Sequence, residues 1–316
     1  MPARVGLVGN PSDGHGGAVL ATVLPAPAAE VVVRPATGLH LGGRSWPSSA
    51  AWCEHVETDG FVGEDRLLDA ALWTLVDHLG HAVPRDEGLT IEWSSDVPRS
   101  VGLAGSSALA VGVIDAVAAS WGHRLDRRVV AALALRAEHD VLGVAAGWQD
   151  RIVQSFGCTV LVDAATMEAV DGVLVPFVHR LVAPDAGIEL LVGWAADVAS
   201  DSGTYHAPLH ARRGELAGPM AELAALARGV ASAWEAGDLR AVGEAMDAGW
   251  ALRQRHVPLR DDHATLVELV HAAGLPATTP GSGGSVVALC TDPVATARAE
   301  AALGGRGCAT CRVLVR

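Results

Sequence analysis

The sequence predicts a chain of two halves that each mix strands with helices, of the α+β or α/β class. Three observations predict it. Strand-like alternation and helical periodicity are interleaved from end to end, and no segment repeats another. The turn formers Ala183-Pro184-Asp185-Ala186-Gly187 separate two stretches of different character. A boundary is expected there, giving domains 1–183 and 184–316, and with half of its 316 residues hydrophobic the chain has ample material for a core.

Taken in order, Arg4 to Gly9 reads as a strand running into the polar loop Asn10-Pro11-Ser12-Asp13-Gly14-His15-Gly16-Gly17. Further strand-like runs are Glu30 to Val33 and Leu89 to Trp93, with the glycine- and serine-bearing stretch Leu39 to Ser49 expected as loop. The apolar spacing of Leu67, Leu68, Ala71, Leu72, Leu75, Val76 and Leu79 predicts a helix over 64–79. An apolar helix follows through Val117 and stops at Gly122, and another runs from Leu125 to Leu142 before Gly143. Gly147-Trp148-Gln149-Asp150 is expected as a short loop, and Thr159 to Asp163 as a strand. The second half predicts a strand at 188–194, a polar loop at 200–206, and helices at 215–235, 239–254 and 262–273. A loop at 278–285, a strand at 286–290, a helix at 293–303 and a last strand at 312–315 complete it.

The stretch that organises the chain is Val97-Pro98-Arg99-Ser100-Val101-Gly102-Leu103-Ala104-Gly105-Ser106-Ser107-Ala108, a small-residue loop between a strand and an apolar helix. Gly102 and Gly105 allow close backbone approach, while Ser106 and Ser107 open a helix whose free amides and positive dipole end favour an anion. It is not a Walker loop, because the chain contains no lysine and all 23 of its basic residues are arginine. A formal charge of −13 and a pI near 5.4 argue against a nucleic-acid or membrane-surface partner and for a small molecule. No apolar run approaches the roughly 18 to 20 residues a membrane span needs. The start of the chain has no secretory pattern, so a cytoplasmic location is expected. Five scattered cysteines suit reduced thiols, and the lone CxxC at Cys308 and Cys311 has no second ligand pair beside it.

Three glycine-bearing loops, each joined to a strand, occur in order, and together they resemble the three signature motifs of the GHMP kinase family, named for kinases of galactose, homoserine, mevalonate and phosphomevalonate. Arg4 to Asp13 resembles the first motif, Gly102 to Ala108 the phosphate loop, and Thr279-Pro280-Gly281-Ser282-Gly283-Gly284 the closing glycine loop. The second motif carries an extra small residue, since Ala104 and Gly105 both stand between Leu103 and Ser106, and the third is one glycine short. These departures, with Asn10-Pro11, Gly143 to Arg151, Ser202 to His206 and Leu252 to Arg255, are most similar to the family's glucuronokinase-like branch.

The resemblance implies an α+β GHMP kinase two-domain fold. Its N-terminal half would be a ribosomal-protein-S5-like mixed domain and its C-terminal half a ferredoxin-like sandwich, with the active site between them. It implies an ATP- and Mg2+-dependent kinase acting on a sugar or uronate hydroxyl, as a monomer or homodimer. Asp150 matches the catalytic aspartate that orients or deprotonates the acceptor hydroxyl, and Arg4 a cation that stabilises the transferred phosphoryl group. Glu138 and Ser107 match the magnesium ligands, with Ser106 as a phosphate contact; Gly102, Leu103, Ala104, Gly105, Ala108, Gly281, Ser282 and Gly283 complete the nucleotide site. Asn10 and Asp13 would meet sugar hydroxyls, and Arg253 or Arg255 a uronate carboxylate.

Read as residues alone, each has a plainer account. Asp150 could cap a helix, Glu138 could lie on a solvated helix face or pair with Arg136 or an arginine elsewhere, Asp140 competes with it for metal, Ser107 could cap its helix, and Arg4, Arg253 and Arg255 could be surface charges. Trp148 has a local reason to touch a ligand, being inside the loop before Asp150. The competing functions are a kinase of the same family with another acceptor (mevalonate, homoserine or another sugar), a non-catalytic nucleotide- or ligand-binding member of the fold, and a phosphorylating decarboxylase.

Overall fold

The computed structural model describes residues 1–84, 88–195, 209, 211–257 and 260–316, the side chain of Asp261 excepted. The expected loop at 200–206 lies outside the described residues. Strand β1 (Pro2–Val8) pairs antiparallel with β2 (Ala18–Ala36) around the loop that contains Asn10 to Gly17. β2 is far longer than the expected Glu30 to Val33. Pro25 and Pro27 break its pattern, and they sit where the strand exchanges partners, β1 and β6 (Val160–Val170) flanking its first part and β5 (Gly88–Ser95) its last.

Leu39 to Ser49 is not a loop. It forms β3 (Leu39–Leu41) and β4 (Arg44–Trp46) around Gly42 and Gly43, whose φ values of 57° and 78° make the two-residue turn that hairpins favour, and then opens α1 (Ser49–Asp59) under the Ser48 hydroxyl. An equivalent turn at Asp171-Gly172 joins β6 to β7 (Val173–Arg180), which extends the expected strand at 159–163 into a hairpin. The first sheet therefore runs β4-β3-β5-β2-β6-β7, with β1 on the first part of β2. Helices α2 (Arg66–Leu79), α3 (Gly105–Ser120), α4 (Arg127–Arg136) and α5 (Gln149–Phe156) cover it, their apolar residues packed against Leu39, Leu89 and Ile91 in one core and Val19, Val160 and Val162 in another.

The second half is an antiparallel sheet ordered β11-β8-β10-β9, from β8 (Ile188–Ala195), β9 (Ala277–Thr278), β10 (Ser285–Leu289) and β11 (Cys308–Val315). Helices α6 (Ala217–Ala236), α7 (Leu239–His256), α8 (Asp261–Ala273) and α9 (Pro293–Gly305) pack on it. Cys308 and Cys311 lie three apart on β11, so their side chains leave opposite faces of the sheet and the CxxC cannot close on itself or on one metal. One core joins the halves: Ala3, Val5 and Leu7 of β1 pack with Trp234 of α6, Met246 of α7 and Val287 of β10. The first motif thus lies where the two halves meet.

Candidate active site

A cleft of about 580 Å³ gathers all three glycine loops, a size suited to a cofactor and a small substrate. Arg4 is the junction. Only 4 % exposed, it points from β1 into the wall, donating through Nε to Asp150 Oδ1 at 2.6 Å and through Nη1 to the carbonyls of Gly102 at 2.9 Å and Pro280 at 2.8 Å. One side chain therefore ties the phosphate loop and the third loop to the aspartate. The main chain of β1 adds two bonds of the same kind, Arg4 N to Leu103 O and Gly6 N to Pro280 O. A terminal surface arginine is excluded for Arg4 by this burial.

Asp150 is not in a loop and does not cap. It lies in the first turn of α5, where the helix dipole favours a carboxylate, with its side chain 22 % exposed toward the cleft. The helix end is held by Asp13 instead, whose Oδ2 accepts the Gln149 amide at 2.8 Å. Burial pushes the Asp13 carboxyl above its ordinary range, with the Gln149 amide opposing and the Asp150 charge adding to the rise. Asn10 lines the same end and donates Nδ2 to Pro280 O at 3.2 Å.

Glu138 lies on a π turn, 137–141, that continues α4, a distortion common where a side chain has to be re-aimed at a site. Buried in the cleft wall, it does not pair with Arg136, which meets Asp77. Its Oε2 accepts from Arg151, and its Oε1 from Ser106 Oγ at 3.0 Å. Burial opposes the Arg151 charge, but Glu138 and Asp150 outweigh it and hold the guanidinium above its usual value. Asp140 is exposed, paired with His139, and outside the lining, so it does not compete for a metal here.

The serine assignment changes. Ser107 is fully buried, its hydroxyl 2.7 Å from Gln154 Oε1 and 3.2 Å from Ala104 O, and it does not line the cleft. Successive helical residues are about 100° apart, so when Ser106 faces Glu138 across the cleft, Ser107 faces α5. The helix phase is set by Ala104, which occupies the left-handed region at φ 65° as the residue before α3. Ala108 is likewise buried and outside the lining. Gly102, Leu103, Ala104, Gly105 and Ser106 do line it, and the first amides of α3 have no partner within the helix.

The third loop closes on the phosphate loop backbone to backbone. A β-carbon on Gly281 would lie 2.4 Å from Gly102 O, and one on Gly102 2.8 Å from Gly283 O. Gly281 and Ser282 reach the cleft, whereas Gly283 does not and packs its α-carbon side against the His263 ring. Arg253, expected at the acceptor, is on the far side of this loop. Only 2 % exposed, it donates Nη1 to Thr279 O at 2.7 Å and Nη2 to Gly281 O at 3.0 Å, and it is absent from the cleft lining. Arg255 is exposed and donates to Ala251 O. Trp148 packs into the core rather than the cleft.

Sequence reasoning assigned no role to Arg151, Gln149 or Gln154, which hold Glu138, Asp150 and Ser107 respectively. The lining brings four carboxylates, Asp13, Glu64, Glu138 and Asp150, together with three arginines, Arg4, Arg99 and Arg151. Among the described residues no cluster of three or more His, Cys, Asp or Glu side chains could hold a metal ion.

Comparison with known proteins agrees with this architecture. Residues 66–158 match the family profile described as GHMP kinases N terminal domain, and residues 223–308 that described as GHMP kinases C terminal. The chain is 27 % identical over 311 residues to "Probable glucuronokinase 2" of Arabidopsis thaliana, covering 92 % of this chain and 83 % of that one. It is 34 % identical over 157 residues to a galactokinase of Mycobacterium tuberculosis, covering 49 % of this chain and 42 % of that protein. The Lactococcus lactis galactokinase solved with galactose superposes with a TM-score of 0.79 at 15 % identity, over 99 % of this chain and 92 % of that one.

Proposed function

From the chain's membership of the GHMP kinase family, which the two matched domains establish, we propose that the cleft transfers the γ-phosphoryl group of ATP to a sugar hydroxyl, the acceptor being glucuronate or a related sugar phosphorylated at its anomeric hydroxyl. The observation that carries the phosphoryl-transfer reading is the single guanidinium of Arg4 bonded to Asp150, Gly102 and Pro280. Phosphoryl transfer is mostly a matter of position and charge, and a contact that ties Asp150 to the backbone of two glycine loops supports that reading. The similarity to glucuronokinases runs along nearly the full chain, whereas that to galactokinase spans half of it, which favours the uronate.

In this reading Asp150 orients the acceptor hydroxyl and receives its proton, with Arg4 fixing Oδ1 and Arg151 Nη1 3.7 Å from Oδ2. Asn10 and Asp13 hold sugar hydroxyls. The open amides of α3 and the backbone of Gly102 to Ser106 cradle the phosphates. Glu138 and Ser106 are hard oxygen donors in the wall and fit magnesium, which takes few protein ligands and fills its shell with phosphate and water. When bound, magnesium would offset phosphate charge. Arg253 braces the third loop from outside the cleft lining.

An ADP-release assay with product identification tests the reading across glucuronate, galacturonate, galactose, mevalonate and homoserine. Turnover with a uronate, giving an acid-labile 1-phosphate, is expected. Turnover with mevalonate or homoserine alone overturns the acceptor, release of carbon dioxide points to a decarboxylating kinase, and nucleotide binding without any product overturns catalysis.

A further inference from the structure

We propose that Arg99 is a contact for the nucleotide's polyphosphate, taking the place that a lysine would hold in a chain that has none. The inference rests on the kinase reading of the cleft. Of the three arginines in the lining, two are spent on protein groups: Arg4 on Asp150 and two loop carbonyls, Arg151 on Glu138 and the Gly147 carbonyl. Arg99 is exposed, and among the described residues no hydrogen bond or ion pair holds its guanidinium. A guanidinium presents several donors in a planar fork matched to phosphate oxygens, and it stays charged at any pH the protein meets.

Its backbone position agrees. Val97 is buried, with Cγ1 3.3 Å from where a Gly105 β-carbon would lie, so the segment that carries Arg99 is pinned on the first residue of α3. Ser100 then turns through φ 59° and Gly102 through φ 76°, which brings the chain back into the phosphate loop. Arg99 therefore sits at the rim of the same helix end whose amides face the cleft. That end supplies only about half a positive charge to a strongly anionic ligand, and the four carboxylates of the lining add repulsion, which an uncommitted cation at the rim offsets. The loop of Asn10, Asp13 and His15 belongs to the acceptor end and comes from another segment of the lining.

Calorimetric titration of the wild type, Arg99→Ala and Arg99→Glu with ATP, ADP, AMP and glucuronate tests this, melting curves having first shown that each variant folds. Arg99→Ala is expected to weaken ATP about tenfold, equal to about 1.4 kcal/mol, and AMP less than twofold. Arg99→Glu is expected to be worse for ATP, and the loss is expected to shrink at high salt. Unchanged ATP affinity in both variants overturns the assignment, as does an equal loss for AMP and ATP, or a loss confined to glucuronate. If the wild type itself binds no nucleotide, the kinase reading fails and the assignment with it; if the wild type binds ATP and Arg99→Glu binds it equally well, the assignment alone fails.

Discussion

Two buried arginines grip the same short segment, Thr279 to Gly281, from opposite faces, and they differ in what else they touch. Arg253, on the back, donates to the carbonyls of Thr279 and Gly281, beside the His263 ring that burial keeps below the ordinary histidine value. Arg4, on the cleft side, donates to the carbonyl of Pro280 and also to Asp150 and Gly102. Both bond the backbone of a glycine loop that has few side chains of its own. Arg4 has the Asp150 carboxylate at its tip and lines the cleft, whereas Arg253 lies outside the lining, so burial and charge are common to both and the face is what differs.

That contrast can be broken most directly by truncating each in turn. Arg4→Met is expected to lower kcat by about 10² to 10³, because it frees Asp150 and unties it from the Gly102 and Pro280 carbonyls. Arg253→Met is expected to leave kcat per folded molecule within a few-fold. It should lower Tm by about 5 °C, since two charge-assisted bonds to buried carbonyls are worth about 3 kcal/mol in all. Steady-state kinetics and thermal melts on the two variants separate them, and equal losses of kcat would erase the distinction.

The neighbouring serines sharpen the same idea on a smaller scale. Ser106→Ala is expected to raise the magnesium concentration needed for half-maximal turnover several-fold with little change in Tm. Ser107→Ala should do the reverse, costing about 1 kcal/mol through the lost bond to Gln154 and leaving the magnesium dependence as it was. Magnesium titrations and melts read the two effects. A raised requirement in Ser107→Ala would return the metal to that residue.

Asp13 gives the smallest effect on stability and a distinctive pH dependence. Burial raises its folded value above its unfolded one, so its contribution to stability is fully present at low pH and is lost as pH rises through the folded value. Ionising the carboxyl where it is buried is a cost. Asp13→Asn is therefore expected to melt no lower than the wild type at pH 7, the gap closing as pH falls through the raised value, while the acceptor KM rises. A variant that melts well below the wild type at pH 7 would show that the carboxylate's bonds outweigh its desolvation.

The three loops were legible because glycine and serine at strand ends signal local backbone geometry, and the resemblance those loops carry is what put Glu138 and Asp150 in one site. Contacts made at long range were not. Arg4 meets a partner 146 residues away and Arg253 one 28 residues away, and nothing in either neighbourhood says which faces the cleft. That Ser106 rather than Ser107 faces the cleft has a local cause, since Ala104 in the left-handed region sets where α3 begins and so which serine points inward. The hairpins at Gly42-Gly43 and Asp171-Gly172 carried turn signals but were short of flanking alternation, so one reads as loop and the other goes unmarked.

The central claim is that Arg4 and Asp150 act as one unit joining the loops to the chemistry. A double-mutant cycle of Arg4→Met, Asp150→Asn and the pair, measured as kcat at saturating ATP and acceptor, tests it most directly. Acting as a unit, the two would give a double variant about as slow as the slower single one. Losses that multiply, with each single variant slowed independently of the other, would contradict the account.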